Sequence, residues 1–197
     1  MLELLLTCAP DVHPVTSAAI VQQESGGSPW ALNDNTMKKS YRPKSARDAA
    51  EIASRLVAAG HSVDIGIAQI NSRNLPHLGL TVEQVLDPCT NLRASQTILK
   101  EGYQRSGGDL AGALSAYNTG KINSRVGASY AGSVFRHAGA EPIVPEIPGG
   151  KMAPWVSRAG GMTLPGAGLP AGKAIVVQPP EQSSLQPAGT DFNPRRF

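Results

Sequence analysis

No stretch of 18 apolar residues occurs in this 197-residue chain, so the sequence offers no membrane-spanning helix. Net charge is small, +3 in all, with +2 over residues 1–140 and +1 over the remainder. A balance this even gives no electrostatic footprint for nucleic acid. It is compatible with an anionic polymer without indicating one. The four histidines, His13, His61, His77 and His137, are scattered and make no Cys/His cluster, which argues against a metal site. No pattern asks for a cofactor. Residues 1–6 lack a basic leader, carry too short an apolar run and are interrupted by Glu3, so as they stand they do not read as a secretory signal. Cysteine is limited to Cys8 and Cys89. They fit two free core thiols or, in an exported domain, one disulfide.

What is there divides near residue 140. The length suggests one domain plus an extension, and the first 140 residues can bury a substantial core. The last 57 residues hold 10 of the 16 prolines and 8 of the 21 glycines, a composition that predicts a disordered tail over 141–197. Its isolated hydrophobic points are Trp155, the run 174–177, Phe192 and Phe197. They suit either an inert spacer or a segment that docks onto partner proteins, for example by adding a strand to a sheet edge.

Residues 1–140 read as mainly α-helical with a short β segment. Pro14 opens a helix at its first turn, and Gly26-Gly27 stop it after Ser25. Ser45 and Asp48 begin a helix through Ala59 with an apolar stripe of Ala49, Ile52, Ala53 and Leu56. Val63, Ile65 and Ile67 alternate as a short strand within 61–70, where Gly66 marks a bend or a close approach. Thr81 and Gln84 open a short helix to Leu86. Asp87-Pro88 starts the next, to about Arg105, and Asp109 caps one carrying Leu110, Ala113, Leu114 and Tyr117. Ser129 starts a last helix with Tyr130, Val134 and Ala138 inward.

Glu24 lies in the last turn of the helix that Pro14 opens. The negative end of a helix dipole disfavours an ionised carboxylate, and an apolar setting would disfavour it further. A carboxylic acid kept protonated near neutral pH is what a general acid requires. Taken alone, a glutamate in this position is more often a solvated surface residue.

Two further segments bear on that choice. Glu24-Ser25-Gly26-Gly27, then Gly66-Ile67-Ala68-Gln69-Ile70-Asn71, then Ala116-Tyr117-Asn118-Thr119-Gly120 resemble, in this order, the three signature motifs of the soluble lytic transglycosylases. The chain is most similar to the VirB-type enzymes of type IV secretion and conjugation systems. That likeness includes Cys8-Ala9-Pro10-Asp11-Val12-His13-Pro14 and Asp87-Pro88-Cys89-Thr90-Asn91-Leu92, and it covers roughly residues 7–139.

The resemblance implies an α+β, goose-lysozyme-like fold. It implies cleavage of peptidoglycan at the MurNAc–GlcNAc β-1,4 bond, with a 1,6-anhydro product, in the periplasm. It implies Glu24 as the one catalytic acid and base. Ser25, Gln69, Asn71, Tyr117, Asn118 and Tyr130 become candidate substrate-binding residues, with Gln69 as an amide donor to the sugar. It also implies a Cys8–Cys89 disulfide. Secretion-system components are the implied partners, with 141–197 as the candidate segment for reaching them.

Most glycosidases add a second carboxylate. Asp64 is the best candidate and Asp34 the next, but neither sits where the resemblance marks a catalytic position. A hydrolytic muramidase and a non-enzymatic glycan-binding assembly factor are therefore the alternatives. The long segment from Ser28 to Asp64 departs from the broad family. Its basic stretch 37–42 reads as a solvated face or as the edge of a cleft.

Overall fold

The computed structural model describes residues 1–139. What the sequence suggests for the tail lies outside the described residues. Among the described residues there are eight α-helices and one small sheet. The helices are α1 (Leu2–Cys8), α2 (Pro14–Ser25), α3 (Ala46–Ala58), α4 (Leu75–Leu78), α5 (Val82–Val85), α6 (Pro88–Arg105), α7 (Leu110–Thr119) and α8 (Arg125–His137). The strands are β1 (Leu32–Asp34), β2 (Lys39–Tyr41), β3 (Val63–Ile65) and β4 (Ile70–Asn71), in the spatial order β2-β1-β3-β4 with each neighbouring pair antiparallel.

Local chemistry sets most boundaries. Pro14 occupies the first turn of α2, and Gly26 ends it in a left-handed cap. Ser45 Oγ accepts from the Asp48 N–H at the start of α3. Thr81 and Gln84 form a reciprocal capping box on α5. Asp87 and Asp109 accept the first N–H groups of α6 and α7.

The core gathers around α7, in which every residue from Ala111 to Thr119 is buried. Helices α6 and α8 pack on it, and α8 also packs on α2. The close approach of α8 depends on Gly127, where a Cβ would fall 2.0 Å from Ser115 Oγ. Leu5, Ile20, Leu32, Ile65, Leu92, Leu114 and Val134 fill the remaining space. Each such aliphatic side chain contributes about 1.5–3 kcal/mol of burial. Cys8 and Cys89 are joined in a disulfide with Cα atoms 5.1 Å apart, fastening α1 to the first turn of α6.

Three features differ from the sequence reading. The β segment at 61–70 is a hairpin rather than one strand, because the chain reverses at Gly66 (φ +83°) and Asn91 Nδ2 occupies the space a Cβ would take. The last helix begins at Arg125, four residues before Ser129, with Ser124 Oγ accepting from the Gly127 N–H. Helices α1 and α4 and strands β1 and β2 have no counterpart in the sequence reading.

Candidate active site

Glu24 sits in the last turn of α2, half-buried, where α2 meets α8. Tyr130, on α8, donates its hydroxyl to Glu24 Oε1 at 2.7 Å. The Tyr130 ring stacks on Tyr117 of α7 with centroids 6.3 Å apart and planes 15° apart. Tyr117 in turn donates to the Ala68 carbonyl at 2.7 Å, and its oxygen pairs with Ser95 Oγ at 3.1 Å. A line of contacts thus joins the loop between β3 and β4 to the glutamate through two stacked tyrosines.

A second tie links the same loop to α2. Ser25, directly after Glu24, donates Oγ–H to the Ile67 carbonyl at 2.7 Å and accepts from the Gly27 N–H at 3.1 Å. Ser25 is buried. It therefore fixes the end of α2, and Glu24 with it, against the loop.

Gln69 is in the left-handed region at φ +51°, which is uncommon for a residue other than glycine. Strain of that kind persists where the surroundings hold it. Here the holding bonds are Nε2 to the Ala31 carbonyl at 2.9 Å and to the Gly66 carbonyl at 2.8 Å. Both amide hydrogens are thereby used within the protein, so in this geometry Gln69 has only its oxygen to offer a sugar, as an acceptor.

Asn71 is almost fully buried. Its Nδ2 donates to Asp64 Oδ1 at 2.8 Å and to Ser62 Oγ at 2.9 Å, and its Oδ1 accepts from the Arg73 N–H at 3.0 Å. It is built into the sheet and caps the short 3-10 turn Ser72–Asn74. Asn118 is buried within α7, which continues to Thr119 and is capped at Gly120 rather than at Asn118.

Neither candidate second carboxylate lies open to solvent. Asp64 is 2% exposed and accepts from Asn71 and from Asn35 Nδ2 at 3.0 Å. Asp34 is fully buried, with Oδ2 2.8 Å from His61 Nδ1 and Oδ1 accepting from the Thr36 and Met37 N–H groups. Burial opposes ionisation of Asp34. The hydrogen bonds from His61, Met37 and Thr36, together with the His61 charge, outweigh it and hold the carboxyl below its usual 3.8. Among the described residues no group of histidine, cysteine and carboxylate side chains is arranged to hold a metal.

Two residues gained no role from the sequence. Asn91, fully buried, accepts from the Ala68 N–H at 2.8 Å and donates to the Ile65 and Val85 carbonyls at 2.8 and 2.7 Å, and so shapes the loop. The available signal was a polar residue set beside Leu92 on the inner stripe of α6. Arg42, exposed beyond β2, donates Nη1 to the Ser25 carbonyl at 3.2 Å. Only its place in a basic stretch hinted at it.

One carboxylic acid held at a helix end by a tyrosine, beside a sheet loop laced to the same helix, defines a small helical domain suited to protonating a substrate oxygen. Residues 5–134 match the transglycosylase SLT domain, and the chain belongs to that family. It is 37% identical over 148 residues to Protein virB1 of Agrobacterium fabrum, covering 71% of this chain and 59% of that protein. It is 40% identical over 129 residues to the type IV secretion system protein virB1 of Brucella abortus, covering 61% of this chain and 54% of that protein. The chain thus spans little more than half the length of these relatives. No solved structure matches.

Proposed function

We propose that this chain is a peptidoglycan lytic transglycosylase that opens the cell wall locally, in the periplasm, for a type IV secretion or conjugation apparatus. The observation that carries this reading is the pairing of Glu24 with Tyr130, in a chain that belongs to the transglycosylase SLT family. The setting in a secretion system rests on the names of the virB1 relatives.

In this reading Glu24 delivers its proton to the glycosidic oxygen, and the MurNAc C1–O bond breaks as the GlcNAc end leaves. The charge at C1 is met by the substrate's own N-acetyl group. The MurNAc C6 hydroxyl then attacks C1, and its proton returns to Glu24. No water is consumed. Tyr130 orients the carboxyl group through both steps. The buried Tyr117–Tyr130 stack backs the acid, and the Gln69 oxygen is what that side chain has to offer the sugar.

A hydrolytic muramidase needs a second carboxylate within reach of C1 or of an attacking water. Asp64 and Asp34 spend their oxygens on bonds inside the protein, which weighs against that route. Mass spectrometry of muropeptides released from purified sacculi by wild type and by Glu24→Gln tests the proposal. Anhydro products from wild type alone are expected. Reducing-end products would make the enzyme a hydrolase. No product from either protein would favour a glycan-binding assembly role.

A further inference from the structure

We propose that Arg42 recognises a carboxylate of the peptide stem attached to the glycan and so makes the domain selective for stem-bearing strands. The inference rests on the peptidoglycan reading above.

The β1–β2 hairpin is fastened to the loop that carries Gln69. Leu32 pairs with Ile65, and the Ala31 carbonyl accepts from both the Gly66 N–H and Gln69 Nε2. Its turn is fixed by buried Asp34, which accepts the Thr36 and Met37 N–H groups at 2.9 and 3.1 Å and pairs with His61. Lys38 is held there at φ +53°, a backbone setting unusual for lysine. Lys39 stands over the Tyr41 ring, 4.9 Å from its centroid. Residues 35–47 include Lys38, Lys39, Arg42, Lys44 and Arg47, and no carboxylate.

Arg42 connects this basic edge to the catalytic acid. Its Nη1 bond to the Ser25 carbonyl places the guanidinium at the negative end of α2, against the residue that follows Glu24. That bond uses one of five N–H donors, and the side chain is exposed. A guanidinium anchored by one donor presents a planar fork that suits a carboxylate. In stem-bearing peptidoglycan the lactyl carboxyl is consumed in the amide to the stem, so the carboxylates near a MurNAc residue are those of the stem itself.

The test compares KM for anhydro-product release on three polymers. They are native sacculi, sacculi whose stem carboxylates are converted to methylamides, and strands stripped of stems by an amidase, which keep only the lactyl carboxylate. For wild type, KM should rise about ten-fold on both altered polymers, the effect of one charge-assisted contact. In Arg42→Gln the three KM values should converge to within about two-fold, and Arg42→Lys should fall between. Equal KM values in wild type, or a ratio that Arg42→Gln leaves unchanged, would overturn the proposal. Stripped strands that behave like native ones would overturn the assignment to the stem.

Pelleting of the protein with the same polymers separates this from the catalytic reading. If wild type releases no anhydro product yet prefers native sacculi, and Arg42→Gln abolishes that preference, recognition stands and catalysis falls. No preference in pelleting overturns the recognition.

Discussion

Tyr130 donates a hydrogen bond of 2.7 Å to Glu24 across 106 positions of sequence. The bond exists because α8 packs on both α2 and α7, and because the Tyr130 ring rests on Tyr117. The hydroxyl and the ring are separable. Tyr130→Phe keeps the stack and removes the donor. The bond strengthens as Glu24 gives up its proton, and a hydrogen bond to a charged group is worth about 1.5–3 kcal/mol, so kcat for anhydro-product release should fall roughly ten-fold or more, with KM little changed. Steady-state kinetics on solubilised glycan strands would measure this. A raised KM at unchanged kcat would mean that the hydroxyl binds sugar instead of orienting the acid.

Asn91 satisfies three backbone groups of the loop and its surroundings, those of Ala68, Ile65 and Val85, without exposure to water. Asn91→Ala leaves all three without that partner. At about 1–3 kcal/mol for each buried group left unmade, the variant should lose roughly 3 kcal/mol or more. Gly66→Ala should also destabilise, since its Cβ would meet Asn91 Nδ2 at 2.3 Å in a left-handed conformation. Urea unfolding of both variants provides the check. A loss below about 1 kcal/mol in Asn91→Ala would mean that the loop holds its turn without the amide.

The legible parts of this fold are those with local chemistry. Ser45, Thr81, Asp87 and Asp109 announce their helices because a cap is a short-range hydrogen bond, and Pro14 announces α2 because its fixed φ suits a first helical turn. Strands β1 and β2 have three residues each, too few for alternation to register, and their pairing partners lie up to 33 positions away. The start of α8 stayed hidden because Gly127 looks like a helix breaker. Only the closeness of Ser115 reveals why a glycine stands there. At the site, the motifs pointed to Glu24, Ser25, Gln69, Asn71, Tyr117 and Asn118; Ser25 and Tyr117 bond to the loop that carries Gln69, whereas Asn71 is buried in the sheet and Asn118 in α7. No motif could say that both Gln69 amide hydrogens turn inward, or that Arg42 reaches the Ser25 carbonyl.

Asp34 gives the fold an acid-sensitive point. Its folded-state pKa is lowered below 3.8, so folding favours the ionised form. The stabilisation is fully present above the unfolded value and is lost as pH falls through the lower folded value. Asp34→Asn removes the charge facing His61. The variant should unfold at lower urea than wild type at pH 7, and the gap should narrow as pH drops below 3.8. A gap that stays constant from neutral pH into that range would show that packing, not charge, sets the penalty.

The disulfide closes a loop with a sequence separation of 81, for which the chain-entropy model gives roughly 4 kcal/mol. The Cys8→Ala/Cys89→Ala double variant should therefore lose about 2–4 kcal/mol. Reduction of the wild type should reproduce the loss, and reductant should not affect the variant. The effect should also travel. Cys89 stands in the first turn of α6, two residues before Asn91, whose Oδ1 takes the Ala68 N–H. Freeing α1 from that turn loosens the group that shapes the loop. Hydrogen exchange at the Ala68 amide should then quicken on reduction, ahead of amides in α7. Unchanged protection at Ala68 would mean that the Asp87 cap, accepting from the Thr90 N–H at 2.8 Å, holds the start of α6 without the disulfide.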